Sequence, residues 1–286
     1  MHRRDFLHAT GIALGAVGFG GLLTACGGDA GGIPDGGPTW NVINASFPEM
    51  LAGDAQRFAF GLTTHENEPV EDTVVEVYTR APGGGDVLGG PYATELHSNG
   101  ARGLGIYLTH VDAHEHGPME LVAVSGRDFG IATLNVVDPA DSQAPAPGQQ
   151  AVSTRTPTFD DALDFEVVCT RQPDCPLHDR SLDDLLAEGR PLLVLFATPA
   201  YCQTAVCGPA VDTFVDLADS RDWGDLGFLH VEIFTDAGVT VADAVRDWGL
   251  PSEPWLFAVD GDGTLVERID GPMIRAELTA LAERLA

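Results

Sequence analysis

The sequence predicts two domains, an all-β sandwich followed by an α/β domain, and three observations carry that prediction. Short apolar alternations punctuated by turn residues fill Trp40 to Val137. A stretch rich in Pro, Ala and Gln follows. Beyond it, a continuous apolar run alternates with helical patterns. A length of 286 residues accommodates about two domains of roughly 100–150 residues each.

In the first domain, residues 40–138, strands are expected at Trp40–Phe47, Gln56–Thr63, Thr73–Thr79, Gly105–Val111, Met119–Val124 and Phe129–Val137. Turn chemistry separates them: Glu49 to Asp54, Glu66 to Pro69, Pro82-Gly83-Gly84-Gly85, Ser98-Asn99-Gly100, His116-Gly117-Pro118 and Ser125-Gly126. Short strands at this spacing favour a β-sandwich. At the level of pattern the segment resembles the immunoglobulin-like domains of extracytoplasmic lipoproteins, with no cysteine pair to anchor the likeness.

Residues 139–157 carry Pro139, Pro145 and Pro147 and little apolar content, so they read as an extended linker. The second domain, 158–286, opens with Ser181 followed three residues later by Asp184, a helix-start pattern. Leu192-Leu193-Val194-Leu195-Phe196 suits a strand buried on both faces. A helix over about Cys207–Ala218, a strand at Phe228–Phe234, a helix near Val241–Trp248, a strand at Trp255–Val259, a second at Thr264–Ile269 and a closing helix from Met273 to Leu285 complete the order β-α-β-α-β-β-α. The acidic pairs Asp160-Asp161 and Asp183-Asp184 read as helix N-terminal charges.

There are 43 acidic side chains against 15 basic ones, all 15 arginine, for a net charge of −28. Such a surface repels phosphates, which argues against a nucleic-acid partner or an anionic membrane surface. The charge is spread along the chain and keeps it solvated rather than forming an acidic tail.

Residues 1–26 read as an address. The apolar run Gly11 to Leu23 is shorter than the roughly 20 residues a membrane span needs. Arg3-Arg4-Asp5-Phe6-Leu7 resembles a twin-arginine export signal, and Leu23-Thr24-Ala25-Cys26 resembles the lipobox of a bacterial lipoprotein. That resemblance implies cleavage before Cys26, lipid on Cys26, and a protein held at the extracytoplasmic face of the bacterial cell membrane. Cleavage would remove Arg3, Arg4 and Asp5 and leave the chain one unit more negative. Residues 27–39, rich in Gly, Pro and Asp, suit a flexible tether.

The other four cysteines, Cys169, Cys175, Cys202 and Cys207, all lie in the second domain. Outside the cytoplasm disulfides persist, and four cysteines allow three pairings that sequence does not distinguish. Cys202 and Cys207 follow the buried strand in Phe196-Ala197-Thr198-Pro199-Ala200-Tyr201-Cys202, where a strand passes into a helix. Unpaired N–H groups and the helix dipole there favour a thiolate, the attacking form of cysteine.

This placement, with Leu250-Pro251-Ser252-Glu253-Pro254-Trp255 ahead of a strand, resembles the thioredoxin superfamily over Thr158 to Ala286. The resemblance implies a thiol–disulfide oxidoreductase exchanging with protein thiols and disulfides, with Cys202 as nucleophile, Cys207 resolving, and Pro254 as the cis-proline facing them. It implies no cofactor and no metal. The spacing departs from the family, with four residues between the cysteines where the family has two. Residues five apart on one helix point about 140° away from each other, so Cys202 would have to lie in the loop and Cys207 in the first helical turn. A second register, Cys207-Gly208-Pro209-Ala210, resembles the family motif with Ala210 in place of its second cysteine. Longer spacing also occurs in the related Sco-type copper-assembly proteins, so a copper-delivery module using Cys202, Cys207 and a histidine is the rival reading. A third is a redox-silent thioredoxin-fold binding module.

Cys169 and Cys175, in a loop stiffened by Pro173 and Pro176, read first as a small structural disulfide. An exchange partner for the other pair, or a metal clasp completed by His178, are the alternatives. His65, His97, His110, His114 and His116 lack a fixed ligand spacing and read as solvent-facing, while His230 reads as a core histidine. No buried carboxylate stands in Leu192–Phe196 to accept a proton.

Overall fold

A computed structural model describes residues 32–71, 73–97, 105–202 and 206–286. The signal, Cys26, residues 27–31 of the tether and the expected turn at 98–100 lie outside the described residues. Ile33 to Ala286 form one compact unit. Among the described residues no helix is long and apolar enough to cross a membrane.

The N-terminal half is all β, with strands β1 (Trp40–Asn44), β2 (Glu49–Leu51), β3 (Gly53–Thr64), β4 (Glu76–Arg80), β5 (Val87–Ala93), β6 (Glu95–His97), β7 (Ile106–Ala113), β8 (Gly117–Ser125) and β9 (Asp128–Val137). They hydrogen-bond in the order β5-β4-β8-β9-β1-β3-β7-β6, with β2 pairing β9. Phe58, Phe60 and Leu62 of β3 share a core with Val77 of β4, Tyr107 of β7, Leu121 of β8 and Leu134 of β9, so the sheet encloses its apolar face. β8 and β9 join through a two-residue loop whose Gly126, at φ +61°, supplies the left-handed backbone such a hairpin requires.

Three strands were not expected from sequence: β2, β5 and β6. Glu49–Leu51 sits inside the expected turn and is ordered by parallel pairing with Asn135–Val137. β5 contains Gly89, Gly90 and Pro91, residue types that disfavour strands, yet it is an edge strand, the place in a sheet that tolerates proline.

The C-terminal half contains α1 (Leu182–Ala187), β10 (Leu192–Phe196), α2 (Cys207–Asp219), β11 (Gly227–Val231), α3 (Asp243–Asp247), β12 (Trp255–Val259), β13 (Leu265–Asp270) and α4 (Arg275–Leu285). The sheet order is β11-β10-β12-β13, with β10 parallel to β11 and antiparallel to β12. A parallel βαβ unit followed by a β-hairpin and a closing helix is a thioredoxin-like arrangement. β10 is buried on both faces, as a continuous apolar run demands. Leu193 and Leu195 pack with Val211 and Phe214 of α2 and Leu278 of α4, while Leu192, Val194 and Phe196 pack with Leu182, Val245 and Trp248 on the other face.

The helix start at α1 uses a different cap from the expected one. Ser181 makes no capping hydrogen bond; its hydroxyl accepts from Thr156 N and donates to Asp183. The Thr156 hydroxyl instead accepts from Leu182 N at 3.0 Å. Asp183 and Asp184 lie in the first turn of α1, but Asp160 and Asp161 precede no helix, and Asp161 pairs with Arg155.

The Pro/Ala/Gln segment is extended and docked rather than free. Gly148 N donates to Leu265 O, Leu265 N to Gln149 O and Ala151 N to Gly263 O, so it runs along the open edge of β13. Ala144 and Ala146 are buried. An unpaired edge is an aggregation hazard, and this segment covers it. The two halves also touch directly: Ala59, Ile106 and Leu108 pack against Ile274. Gly271, at φ +71°, lets the chain pass Ala45, since a Cβ there would stand 2.0 Å from the Ala45 carbonyl oxygen.

Candidate functional site

The end of β10 delivers the chain to a buried turn. Ala197 N donates to Val231 O, and Ala197 and Thr198 are fully buried. The next residues emerge, and Cys202 lies in the loop, partly exposed. Cys207 begins α2 and is fully buried against the α2/α4 face of the sheet. This is the loop-and-first-turn placement that the four-residue spacing requires.

The sulfurs of Cys202 and Cys207 and a carboxylate oxygen of Glu253 all lie within 4.8 Å of one another. The Glu253–Pro254 peptide is cis, and Glu253, just ahead of β12, lies beside Cys207 at the start of α2. The Cys207 thiol is pushed well above the ordinary cysteine range: it donates a hydrogen bond to Cys202, it is buried, and the Cys202 and Glu253 charges oppose its ionisation. A backbone contact from Thr198 pulls the other way without reversing this. One sulfur is therefore open and the other closed and protonated.

Sequence reasoning missed two carboxylates here. Glu253 precedes the proline that drew attention, and only the fold brings it to the cysteines. Glu232 follows β11 and is fully buried, and burial raises its carboxyl above the ordinary range. Its Oε1 accepts from Thr170 N at 2.7 Å and Thr170 Oγ1 at 2.6 Å. Thr170 Oγ1 in turn accepts from Ala200 N at 3.2 Å, tying this carboxyl to the loop that carries Cys202. A charged residue inside the apolar run Phe228–Ile233 was the available signal.

Cys169, Cys175 and His178 converge on His230, four buried residues whose ligand atoms all lie within 4.8 Å of one another. Cys169 Sγ stands 3.7 Å from Cys175 Sγ, and no disulfide joins the two. His230 Nδ1 is 3.4 Å from Cys175 Sγ and 3.0 Å from His178 Nε2. Its Nε2 faces the Ala197 carbonyl at 3.0 Å. Within the pair, a hydrogen bond from the Cys175 thiol and contacts from both imidazoles hold Cys169 far down, while the same bond and burial keep Cys175 protonated. Burial also lowers His178, which favours the neutral ring. His65, His97, His110, His114 and His116 enter no such group among the described residues; His114, for example, faces Asp54 at 3.1 Å.

No family model matches the chain, and no curated protein matches it. Among solved structures, a thiol:disulfide interchange protein of the thioredoxin family from Chlorobium tepidum TLS is 18% identical, with a TM-score of 0.33, covering 50% of this chain and 99% of its own. A Bacteroides thetaiotaomicron protein provisionally described as a disulfide isomerase is 14% identical, with a TM-score of 0.35, covering 49% and 87%. The Lin-41 filamin domain is 11% identical, with a TM-score of 0.23, covering 35% and 93%.

Proposed function

We propose that the chain is a thiol–disulfide oxidoreductase acting through Cys202 and Cys207, held by lipid on Cys26 at the extracytoplasmic face of a bacterial membrane, with the all-β half immunoglobulin-like. The observation that carries the redox reading is the pairing of a partly exposed sulfur with a fully buried one at the start of α2. The lipid anchor rests on the N-terminal motifs alone.

In the reductive direction, the Cys202 thiolate attacks one sulfur of a partner disulfide, and the other sulfur leaves as a thiolate that takes a proton. Cys207 then gives up its proton and attacks Cys202, forming the Cys202–Cys207 disulfide and releasing the partner thiol. Two electrons pass from the protein to its partner. Glu253 is placed to take the Cys207 proton, directly or through one water. Redox poise sets which direction prevails.

Copper delivery is the less favoured reading. The third group beside Cys202 and Cys207 is a carboxylate, a hard ligand poorly matched to a soft cuprous ion. The test is a redox titration of the protein beside Cys202→Ser and Cys207→Ser, together with a disulfide-exchange assay. Exchange activity lost in Cys202→Ser, with trapped mixed disulfide in Cys207→Ser, is expected. A couple below about −300 mV with no exchange would make the pair structural and end the redox reading.

A further inference from the structure

We infer that Cys169, Cys175, His178 and His230 form a structural zinc site. Sequence spacing offered a disulfide, an exchange pair or a clasp with three of these residues; the fourth ligand comes from β11, 52 positions beyond His178.

The distances fit a tetrahedron. With Zn–S near 2.3 Å and Zn–N near 2.0–2.1 Å, the edges of a tetrahedral Cys2His2 site are about 3.8 Å between sulfurs, 3.5 Å from sulfur to nitrogen and 3.3 Å between nitrogens. The separations Cys169–Cys175, Cys175–His230 and His178–His230 are 3.7 Å, 3.4 Å and 3.0 Å, and the other three edges lie within 4.8 Å. A disulfide would instead bring the sulfurs to about 2.05 Å.

The surroundings favour a metal as well. All four side chains are buried, with exposures of 1% or less. Thiols are weak donors, so the hydrogen bonds among these four groups hold their electron-rich atoms together only weakly. The Cys175 N–H donates to Cys169 Sγ at 3.3 Å, a bond that stabilises a thiolate ligand. His230 donating through Nε2 to the Ala197 carbonyl fixes the tautomer that leaves the Nδ1 lone pair facing the sulfurs.

Charge selects the ion. On binding Zn²⁺, both sulfurs ligate as thiolates, the remaining thiol proton passes to solvent, two Zn–S and two Zn–N bonds form, and no atom changes oxidation state. The product is neutral, which suits a buried site. A cuprous ion with the same two thiolates would leave a buried negative charge. Four protein ligands leave no open position, so the site is structural rather than catalytic. It clamps the Cys169–His178 loop to β11 and to the end of β10, immediately ahead of the loop bearing Cys202. The site stands whether or not Cys202 and Cys207 exchange disulfides.

The experiment is elemental analysis of the full chain purified without added metal, beside Cys175→Ser, His230→Ala and the double variant Cys202→Ser/Cys207→Ser. Stoichiometric zinc is expected in the wild type and in the double variant, and none in the first two. Since those two could fail to fold, the wild-type chain is also reconstituted with cobalt(II), which should show the visible bands of a tetrahedral thiolate-ligated ion. A zinc-free wild-type chain with Cys169 joined to Cys175, zinc lost from the double variant, or copper in place of zinc would each overturn the assignment.

Discussion

Arg57 of β3 donates through Nε and Nη2 to the two carboxylate oxygens of Glu277 on α4, at 2.8 and 3.0 Å, across 220 positions of sequence. The same guanidinium donates to the Asp270 carbonyl at 2.9 Å and the Pro272 carbonyl at 2.8 Å. Both ion-pair side chains are mostly buried, at 12% and 17% exposure, so water replaces them poorly. Arg57 thus joins the all-β half to the α/β half.

Arg57→Ala leaves a carboxylate and two carbonyls without their donor. The expected loss is about 2–3 kcal/mol, less than for a fully buried pair. Urea denaturation followed in both halves reads this as a lower midpoint, with the two halves beginning to unfold separately. An unchanged midpoint would mean that the contact contributes nothing to stability.

Iodoacetamide should distinguish the two sulfurs at the start of α2. Cys202 is partly exposed, whereas Cys207 is buried and held as a thiol above the ordinary cysteine range. Alkylation of the reduced native chain near neutral pH is expected at Cys202, with Cys207 reacting only after unfolding. Peptide mapping by mass spectrometry checks it, and equal labelling of the two would contradict the open-and-closed arrangement.

Glu253→Gln separates a charge from a base. The Glu253 carboxylate contributes to the raised Cys207 pKa, so removing its charge moves Cys207 ionisation to lower pH. Yet the same substitution removes the group placed to accept the Cys207 proton. Resolution of a mixed disulfide should slow at neutral pH, by about tenfold to a hundredfold, while its alkaline limb shifts to lower pH. A rate that rises at neutral pH would assign Glu253 an electrostatic role only.

Asp270 gives the fold a pH dependence whose sign can be stated. Burial raises its carboxyl above the ordinary range, against the pull of Arg57, Arg268 and the Phe47 N–H that donates to it. A raised carboxyl binds its proton more tightly in the folded state than in the unfolded one. Its contribution therefore favours folding in acid and diminishes as pH rises through the folded-state pKa. Asp270→Asn keeps an acceptor for Phe47 N and removes the titration. Relative to this variant, the wild type should gain stability on acidification from neutrality, as read by denaturation midpoints along a pH series. Parallel curves for the two proteins would refute it.

Much of the architecture was legible because it is local. Alternation at a period of two placed β3, β7, β8 and β9, and a run of five apolar residues placed β10. β5 was hidden because Gly and Pro report turn preference, whereas its strand exists through pairing with β4. The α1 cap was mis-assigned for a similar reason: Ser181 had the right offset, but Thr156, 26 positions before Leu182, supplies the hydroxyl.

By itself the sequence determined the order of strands and helices in the α/β half, the acidic character of the chain and the residues able to do sulfur chemistry. A cysteine between a buried strand and a helix is readable because the strand-to-helix junction is written in adjacent residues. The tertiary structure decided what those cysteines meet. Only packing sets Glu253 beside Cys202 and Cys207, and only the docking of the Cys169–His178 loop on β11, where His230 N donates to Leu177 O, brings His230 to Cys169, Cys175 and His178. Such convergence depends on contacts between residues tens of positions apart. Periodicity and capping act over a few residues and carry no record of those contacts.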